Sequence, residues 1–184
     1  MFDKARLIEA LERLGNDLLA RGLFIELAVY RGSAIVLQFD WGRSTEYVDP
    51  VVREGYDEHA LGVSVAVVAR QMGLEGDWLN NAVGMYTPLG ENDDLFDVMG
   101  NYPMTGTPGL RVLTAKPQYL LAMKLQALRN IDRGDKDLDD ARALASHLAI
   151  DDEGELRALY VSIHGEEPHW EALSRFRSVL VKGA

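Results

Sequence analysis

A short apolar run near the start of the chain is the feature that most constrains the fold. Residues 23–30, LFIELAVY, are rich in strand-forming residues and predict a buried strand. An amphipathic helix is predicted before it, over residues 3–21, because leucines recur there at steps of three and four, and Gly22 ends that helix. A buried strand needs pairing partners and covering helices, so the rest of the chain must supply both.

Further strands are predicted downstream. The segment 45–52, TEYVDPVV, predicts a strand that lies near a sheet edge or ends early, because Pro50 has no N–H to donate. The run GLRVLT predicts another strand at 109–114. Residues 84–109 are rich in glycine and proline and predict a long irregular stretch, interrupted by a strand at 94–99, DLFDVM.

Helices fill most of the remaining chain. From Pro117 onwards the chain is helical throughout, and a proline suits the first position of a helix. The predicted helices are 33–39, 57–72 and 76–83 in the first part, and 118–130, 136–148, 156–163 and 170–181 in the second.

The order of these elements predicts the fold class. A helix, then strands mixed with helices, then a helical tail is typical of an α+β or α/β fold with one small mixed sheet flanked by helices. We expect a first domain over residues 1–115 and a helical C-terminal part over 116–184 packed on it.

Composition excludes several classes of protein. There is no cysteine, so disulfides, thiolate metal sites and cysteine nucleophiles are excluded. No apolar run is long enough to span a membrane, and the N-terminus carries acids without an apolar signal region, so we expect a cytoplasmic protein with no membrane partner. The net charge of −10 disfavours non-specific binding to nucleic acid, including an RNA acceptor.

The first candidate site is the turn YRGSA at 30–34, between a predicted strand and a predicted helix. Small residues such as Gly32 and Ser33 let backbone amides approach a phosphate, and the helix N-terminus adds positive potential. A Gly-Ser turn that only connects two elements is the alternative. The common P-loop and dinucleotide fingerprints are absent from the chain.

The second candidate is the segment that follows, at 45–50. Alternation along a strand would place Thr45, Tyr47 and Asp49 on one face and Glu46 on the other. Carboxylates at both 47 and 49 would bind divalent ions, but only Asp49 is an acid. The alternative is a strand end exposed to water.

The third candidate is a lysine and two aspartates in the helical part. Lys124 lies among apolar neighbours in LLAMKLQAL, where it either extends along its stem to water or holds a triphosphate in a cleft. Asp137 and Asp140 share a helix face, and Asp137 near a helix start also suits the helix dipole. The four histidines show neither zinc spacing nor a triad partner.

Five stretches, taken in order, carry a family resemblance over about residues 5–150: RGSA, RSTEYVD, GDWLNNAV, GLRVLTAKPQYLLAMKLQAL and KDLDDARALASHLAI. The chain resembles bacterial nucleotidyltransferase-like proteins, relatives of the AbiEii and MenT toxin nucleotidyltransferases in the DNA polymerase β-like superfamily. Such proteins carry Gly-Gly-Ser/Thr on a nucleotide-binding turn and two Mg²⁺-binding aspartates on the next strand.

The resemblance implies roles for particular residues. Gly32 and Ser33 match the turn, and Asp49 matches the second, metal-binding aspartate. Arg43 and Thr45 fall in the stretch that accompanies the nucleotide. The later lysine and aspartate that complete the site in the toxin branch correspond to Lys124 and to Asp137 or Asp140. The implied cofactors are Mg²⁺ and a nucleoside triphosphate.

Two departures from the family pattern predict a degenerate site. Arg31 replaces the first glycine, and Tyr47 replaces the first aspartate. The third carboxylate of the superfamily is not identifiable, with Asp94 and Asp97 as the possible acids. Because Mg²⁺ demands near-octahedral oxygen ligands, losing one weakens the metal site and slows transfer on the order of 10³-fold or more.

Three hypotheses follow. In the first, the protein has a nucleotidyltransferase fold with impaired or absent activity and binds a nucleotide or a protein partner in a toxin–antitoxin or defence setting. In the second, it is an active transferase that moves a nucleotide monophosphate to an RNA or protein acceptor. In the third, it is an interaction protein without a ligand.

Overall fold

The protein is a mixed α+β chain, as the sequence predicts. The computed structural model describes residues 1–42, 44–55, 58–80, 92–130 and 135–181. The chain divides into two compact units, Met1–Ala115 and Lys116–Ala184. The described helices and strands of the first unit are α1 (Lys4–Ala20), β1 (Ile25–Val29), α2 (Arg31–Gln38), β2 (Pro50–Glu54), α3 (Glu58–Met72), a 3-10 turn (Asp93–Leu95), β3 (Phe96–Tyr102) and β4 (Leu110–Ala115).

The first helix follows from local sequence signals. The side chain of Asp3 accepts a hydrogen bond from the Arg6 N–H at 2.8 Å and so satisfies one of the unpaired amides at the start of α1. Gly22 at the other end has a φ of 72°, which suits the chain reversal after the helix. The face between these ends is fully buried and is formed by Leu7, Leu11, Leu14 and Leu18.

The four strands form one mixed sheet in the order β2-β1-β4-β3. β1 and β4 pair in parallel at the centre, and β2 and β3 add antiparallel at the two edges. β2 begins at Pro50 and is an edge strand of the sheet, which confirms the predicted edge position. The centre of the sheet is therefore built from the two apolar runs that the sequence marks as strands.

Helix α1 packs unusually close to the last residue of β3. A Cβ atom placed on Gly15 would lie 2.7 Å from the Cβ of Tyr102 and closer still to the Tyr102 carbonyl. Only a residue without a side chain allows this approach.

A polar row crosses the sheet on three neighbouring strands. Arg111 on β4 contacts the carboxylate of Glu26 on β1 at 3.3 Å and donates to the side-chain oxygen of Asn101 on β3 at 3.2 Å. Both partners lie opposite Arg111 in the register of the sheet. The predicted third carboxylates, Asp94 in the 3-10 turn and Asp97 on β3, are exposed at the other end of β3.

The second unit is helical over its described residues. The helices are α4 (Pro117–Ala127), α5 (Lys136–His147), α6 (Glu153–His164), α7 (Trp170–Leu173) and α8 (Phe176–Leu180). Tyr160 on α6 packs against the ring of Phe176 on α8, and both residues are buried. No helix within the described residues is both long and apolar enough to cross a membrane.

The strand predicted at 45–52 is wrong over its first half. Residues 45–49 lie outside the sheet, because their backbone groups pair elsewhere: Thr45 with Phe2, and Val48 with Trp78 and Asn80. The alternation that placed Thr45, Tyr47 and Asp49 on one face therefore does not apply.

Two predicted helices also differ. Residues 76–80 form a turn and a single bridge instead of a helix, because Trp78 is buried and its indole N–H donates to the Val65 carbonyl at 3.1 Å. The rest of that predicted helix, 81–83, lies outside the described residues, as does 84–91 of the predicted irregular stretch. The helix predicted over 170–181 is two short helices, interrupted at Ser174 and Arg175.

We expect Gly15→Ala to lower the free energy of unfolding by roughly 2–3 kcal/mol, because the added methyl group forces α1 away from Tyr102. Gly62→Ala is the matched control, since Gly62 lies exposed on α3 with nothing within 4 Å of its Cβ position. The control should raise stability by about 0.5–1 kcal/mol, because alanine favours a helix. Urea unfolding measures the free energy of unfolding of both variants. An unchanged value for Gly15→Ala would contradict the close approach of α1 to Tyr102.

The second unit should lose stability as the pH falls, in part through His164. Burial lowers the pKa of His164 below its usual 6.5, although the Ala122 carbonyl and Glu166 oppose this shift. The unfolded chain therefore binds the proton more readily, so this contribution is present at neutral pH and is lost as the pH falls through 6.5 towards the lowered value.

His164→Gln should show a shallower loss of thermal stability between neutral pH and about pH 5 than the parent. Glutamine can still donate to the Ala122 carbonyl, which contacts His164 Nε2 at 3.3 Å. His59→Gln changes an exposed histidine and serves as the control. Parallel profiles of thermal stability against pH for the parent and His164→Gln would contradict a contribution from His164.

Candidate functional site

The turn between β1 and α2 adopts an unusual backbone conformation. Arg31 has a φ of 54°, in the left-handed region that favours glycine. This is the position where the family pattern has its first glycine. The first bond within α2 is donated by the Ala34 N–H to the Tyr30 carbonyl at 3.2 Å. The amides before Ala34 belong to the first turn, which has no acceptors inside a helix.

The hydroxyl of Ser33 is committed to the protein itself. Ser33 is fully buried, and its Oγ donates to the Tyr30 carbonyl at 2.8 Å. This bond closes the first turn of α2. The serine hydroxyl is therefore used within the turn itself.

The segment 45–49 lies against this turn. The Tyr30 N–H donates to the Asp49 carbonyl at 3.3 Å. A Cβ placed on Gly32 would lie 3.7 Å from the Oγ1 of Thr45, so the two residues are neighbours. The structure therefore brings Gly32, Ser33, Thr45 and Asp49 together within the first unit. Arg43, also predicted for this site, lies outside the described residues.

The side chains of the segment 45–49 face different surroundings. Thr45 is buried, and its Oγ1 donates to the Tyr47 carbonyl at 2.8 Å. Tyr47 is 39% exposed and Glu46 is exposed, whereas Asp49 is half-buried. The phenol in the place of the family's first aspartate is thus directed at least partly to water.

Asp49, the predicted metal ligand, belongs to no group of three acids or histidines with ligand atoms close together within the described residues. Across the sheet, Pro50, Val29, Thr114 and Asp97 share one register row, one residue on each strand. At about 4.8 Å per strand, Asp97 lies about 14 Å from Pro50, too far to share an ion with Asp49. β4, which lies between β1 and β3, carries no acidic residue.

Sequence analysis missed one acidic group, in the second unit. Asp151, Asp152 and Glu155 have ligand atoms within 4.8 Å of one another, and all three are exposed. The signal in the sequence is the run DDEGE at 151–155. Asp152 accepts a hydrogen bond from the Glu155 N–H at 2.9 Å, so capping of α6 accounts for the position of Asp152.

Lys124, Asp137 and Asp140 come together in the second unit. The Lys124 ammonium contacts Asp137 Oδ1 at 2.7 Å and Asp140 Oδ2 at 2.6 Å. The lysine side chain is only 8% exposed, so it does not extend to water as one interpretation predicted. The two carboxylates lie one helical turn apart on α5 and outweigh the single positive charge. This triad links α4 to α5 through two ion pairs.

The predicted site residues thus form two groups, one in each unit. The turn residues and Asp49 belong to the first unit, and the lysine triad belongs to the second. Comparisons with family models, curated proteins and solved structures return no match. The family resemblance therefore depends on the sequence stretches quoted above and stays a prediction.

Lys124→Met should lower the free energy of unfolding by about 2–4 kcal/mol, because it leaves two poorly exposed carboxylates facing each other without a cation. The exposed Lys136→Met is the control and should change stability little. The triple variant Lys124→Met, Asp137→Asn, Asp140→Asn should recover most of the loss, since it removes the charges together. Urea unfolding at neutral pH measures the free energy of unfolding of all three variants. An unchanged value for Lys124→Met would show that the triad does not stabilise the fold.

Proposed function

We propose that the protein binds a nucleoside triphosphate at the turn between β1 and α2, and that its metal-dependent transfer chemistry is impaired. The observation that carries the proposal is the contact of this turn with the segment 45–49 through Tyr30, Asp49, Gly32 and Thr45. This contact joins the two stretches that correspond to the nucleotide-binding turn and the metal-binding strand of the resembling family.

The turn suits a phosphate for physical reasons. A helix N-terminus presents N–H groups and a partial positive charge, and Gly32, the second residue of α2, adds no side chain to this turn. Arg31 holds a conformation that costs about 1–2 kcal/mol for a residue with a side chain. Such strain accumulates at ligand-binding turns, which supports a functional turn over a mere connection.

The proposal of impaired transfer depends on which side chains near Asp49 could bind Mg²⁺. Mg²⁺ binds hard oxygen ligands in near-octahedral geometry, and within the described residues Asp49 belongs to no group of three acids or histidines with close ligand atoms. This ligand set favours weak magnesium binding over a resident ion. The resemblance extends the proposal to a protein partner in a toxin–antitoxin or defence setting.

Isothermal titration with ATP, GTP and CTP, each with and without Mg²⁺, tests the binding proposal. We expect saturable binding of at least one triphosphate and little gain in affinity from Mg²⁺. Gly32→Ala should weaken binding roughly tenfold, because its methyl group obstructs one amide-to-phosphate hydrogen bond. The added Cβ makes only an ordinary contact with Thr45 Oγ1 at 3.7 Å, so the fold is retained.

Gly62→Ala, the same change at an exposed position of α3, is the control and should bind as the parent does. The absence of both heat and thermal shift with all three triphosphates would reject nucleotide binding. Equal affinities for Gly32→Ala and the parent would place the ligand elsewhere.

Transfer activity is tested separately with labelled triphosphates, Mg²⁺ or Mn²⁺, tRNA and cell lysate. Our proposal predicts no label transfer above background. Transfer that disappears in Asp49→Ala would show instead an active nucleotidyltransferase with an RNA or protein acceptor.

A further inference from the structure

Two aromatic rings stack on the surface of the first unit, directly after α2. The rings of Phe39 and Trp41, which we call the aromatic stack, have centroids 4.6 Å apart and an angle of 16° between their planes. The Gly42 N–H donates to the Phe39 carbonyl at 3.2 Å, so a tight turn holds both residues. The indole is thereby held in a fixed plane with one face covered.

The indole of Trp41 remains available to a ligand. Trp41 is 39% exposed, whereas Phe39 beneath it is half-buried. Trp78, in contrast, is fully buried and hydrogen-bonded, as expected for a tryptophan that serves the core. A preoriented planar ring with an exposed portion favours stacking of another planar ring, because little conformational entropy is lost on binding.

The chain after the aromatic stack runs back along α2 towards the turn between β1 and α2. A Cβ on Gly42 would lie 2.8 Å from the Ile35 carbonyl and from the Val36 Cα, and the segment then reaches Thr45 beside Gly32. Four residues of helix separate Gly32 from Val36, about 6 Å along the axis. The backbone beside Trp41 thus lies about 6 Å along α2 from the turn, a separation that a ribose and its phosphates can bridge.

We propose that the aromatic stack binds the base of a purine nucleotide, with Trp41 stacking on the purine ring. This inference rests on the proposed function, which places the phosphates at the turn 30–33. Base–aromatic stacking does not require hydrogen-bond readout, and a purine offers a larger ring surface than a pyrimidine. The net charge of −10 favours a mononucleotide over a polynucleotide, because each further phosphate adds repulsion.

Fluorescence and calorimetry test the proposal. In a Trp170→Phe chain, Trp41 is the exposed member of the two remaining tryptophans, since Trp78 is fully buried. Adenosine and ATP should quench its emission saturably, and cytidine and CTP should do so at higher concentrations. Trp41→Leu should weaken ATP binding roughly tenfold and leave the affinity for inorganic tripolyphosphate unchanged.

Trp170→Leu is the matched control, because Trp170 is 70% exposed in the second unit and should not affect binding. Thermal unfolding verifies that each variant folds. Trp41→Phe, which keeps a smaller ring, should bind ATP with an affinity between those of the parent and Trp41→Leu.

The possible outcomes separate this inference from the proposed function. If Trp41→Leu binds ATP as the parent does, the stack is not the base site, although nucleotide binding at the turn stands. If adenosine quenches Trp41 saturably while tripolyphosphate does not bind, the base site stands and the phosphate turn fails. If neither ligand binds the parent chain, both are overturned.

Discussion

The backbone hydrogen bonds of residues 45–49 are the constraint on which the candidate site depends. This segment joins no strand of the sheet, so its N–H and C=O groups find partners at Phe2, at Trp78 and Asn80, and at Tyr30. The burial of Trp78 against Phe2, with ring centroids 5.7 Å apart, secures two of these three attachments. The third attachment couples the segment to the start of α2 and so assembles the site.

The site built in this way offers backbone groups rather than a set of charged ligands. Ser33 and Thr45 direct their hydroxyls to carbonyls of the chain, and within the described residues Asp49 belongs to no group of three acids or histidines with close ligand atoms. Backbone amides at a helix start recognise anions but supply neither a metal nor a general base. These features are the basis of our proposal that the site holds a nucleotide but transfers it poorly.

The lysine triad of the second unit illustrates how a catalytic pattern and a structural contact can share residue types. Lys124 was a candidate for triphosphate binding because a cation among apolar residues suggests a cleft. The structure gives it two carboxylate partners that lie 13 and 16 residues further along the chain, and triphosphate binding by Lys124 stays a prediction. A buried lysine needs such compensation whatever its role, so its burial alone does not identify a ligand site.

The sequence by itself determined the elements whose signals are local. The leucine spacing of α1, the apolar runs of β1 and β4, and the helical tail after Pro117 are confirmed, and with them the α+β class, because periodicity of 3.6 or 2 residues and turn residues act over a few positions. The grouping of Lys124 with Asp137 and Asp140 could also be anticipated from the resemblance. Only the tertiary structure decided that 45–49 leaves the sheet, that 76–80 is a turn around a buried tryptophan, and that Phe39 and Trp41 stack. These features depend on hydrogen bonds and packing with partners brought close by folding, and tertiary contacts of this kind override local propensity.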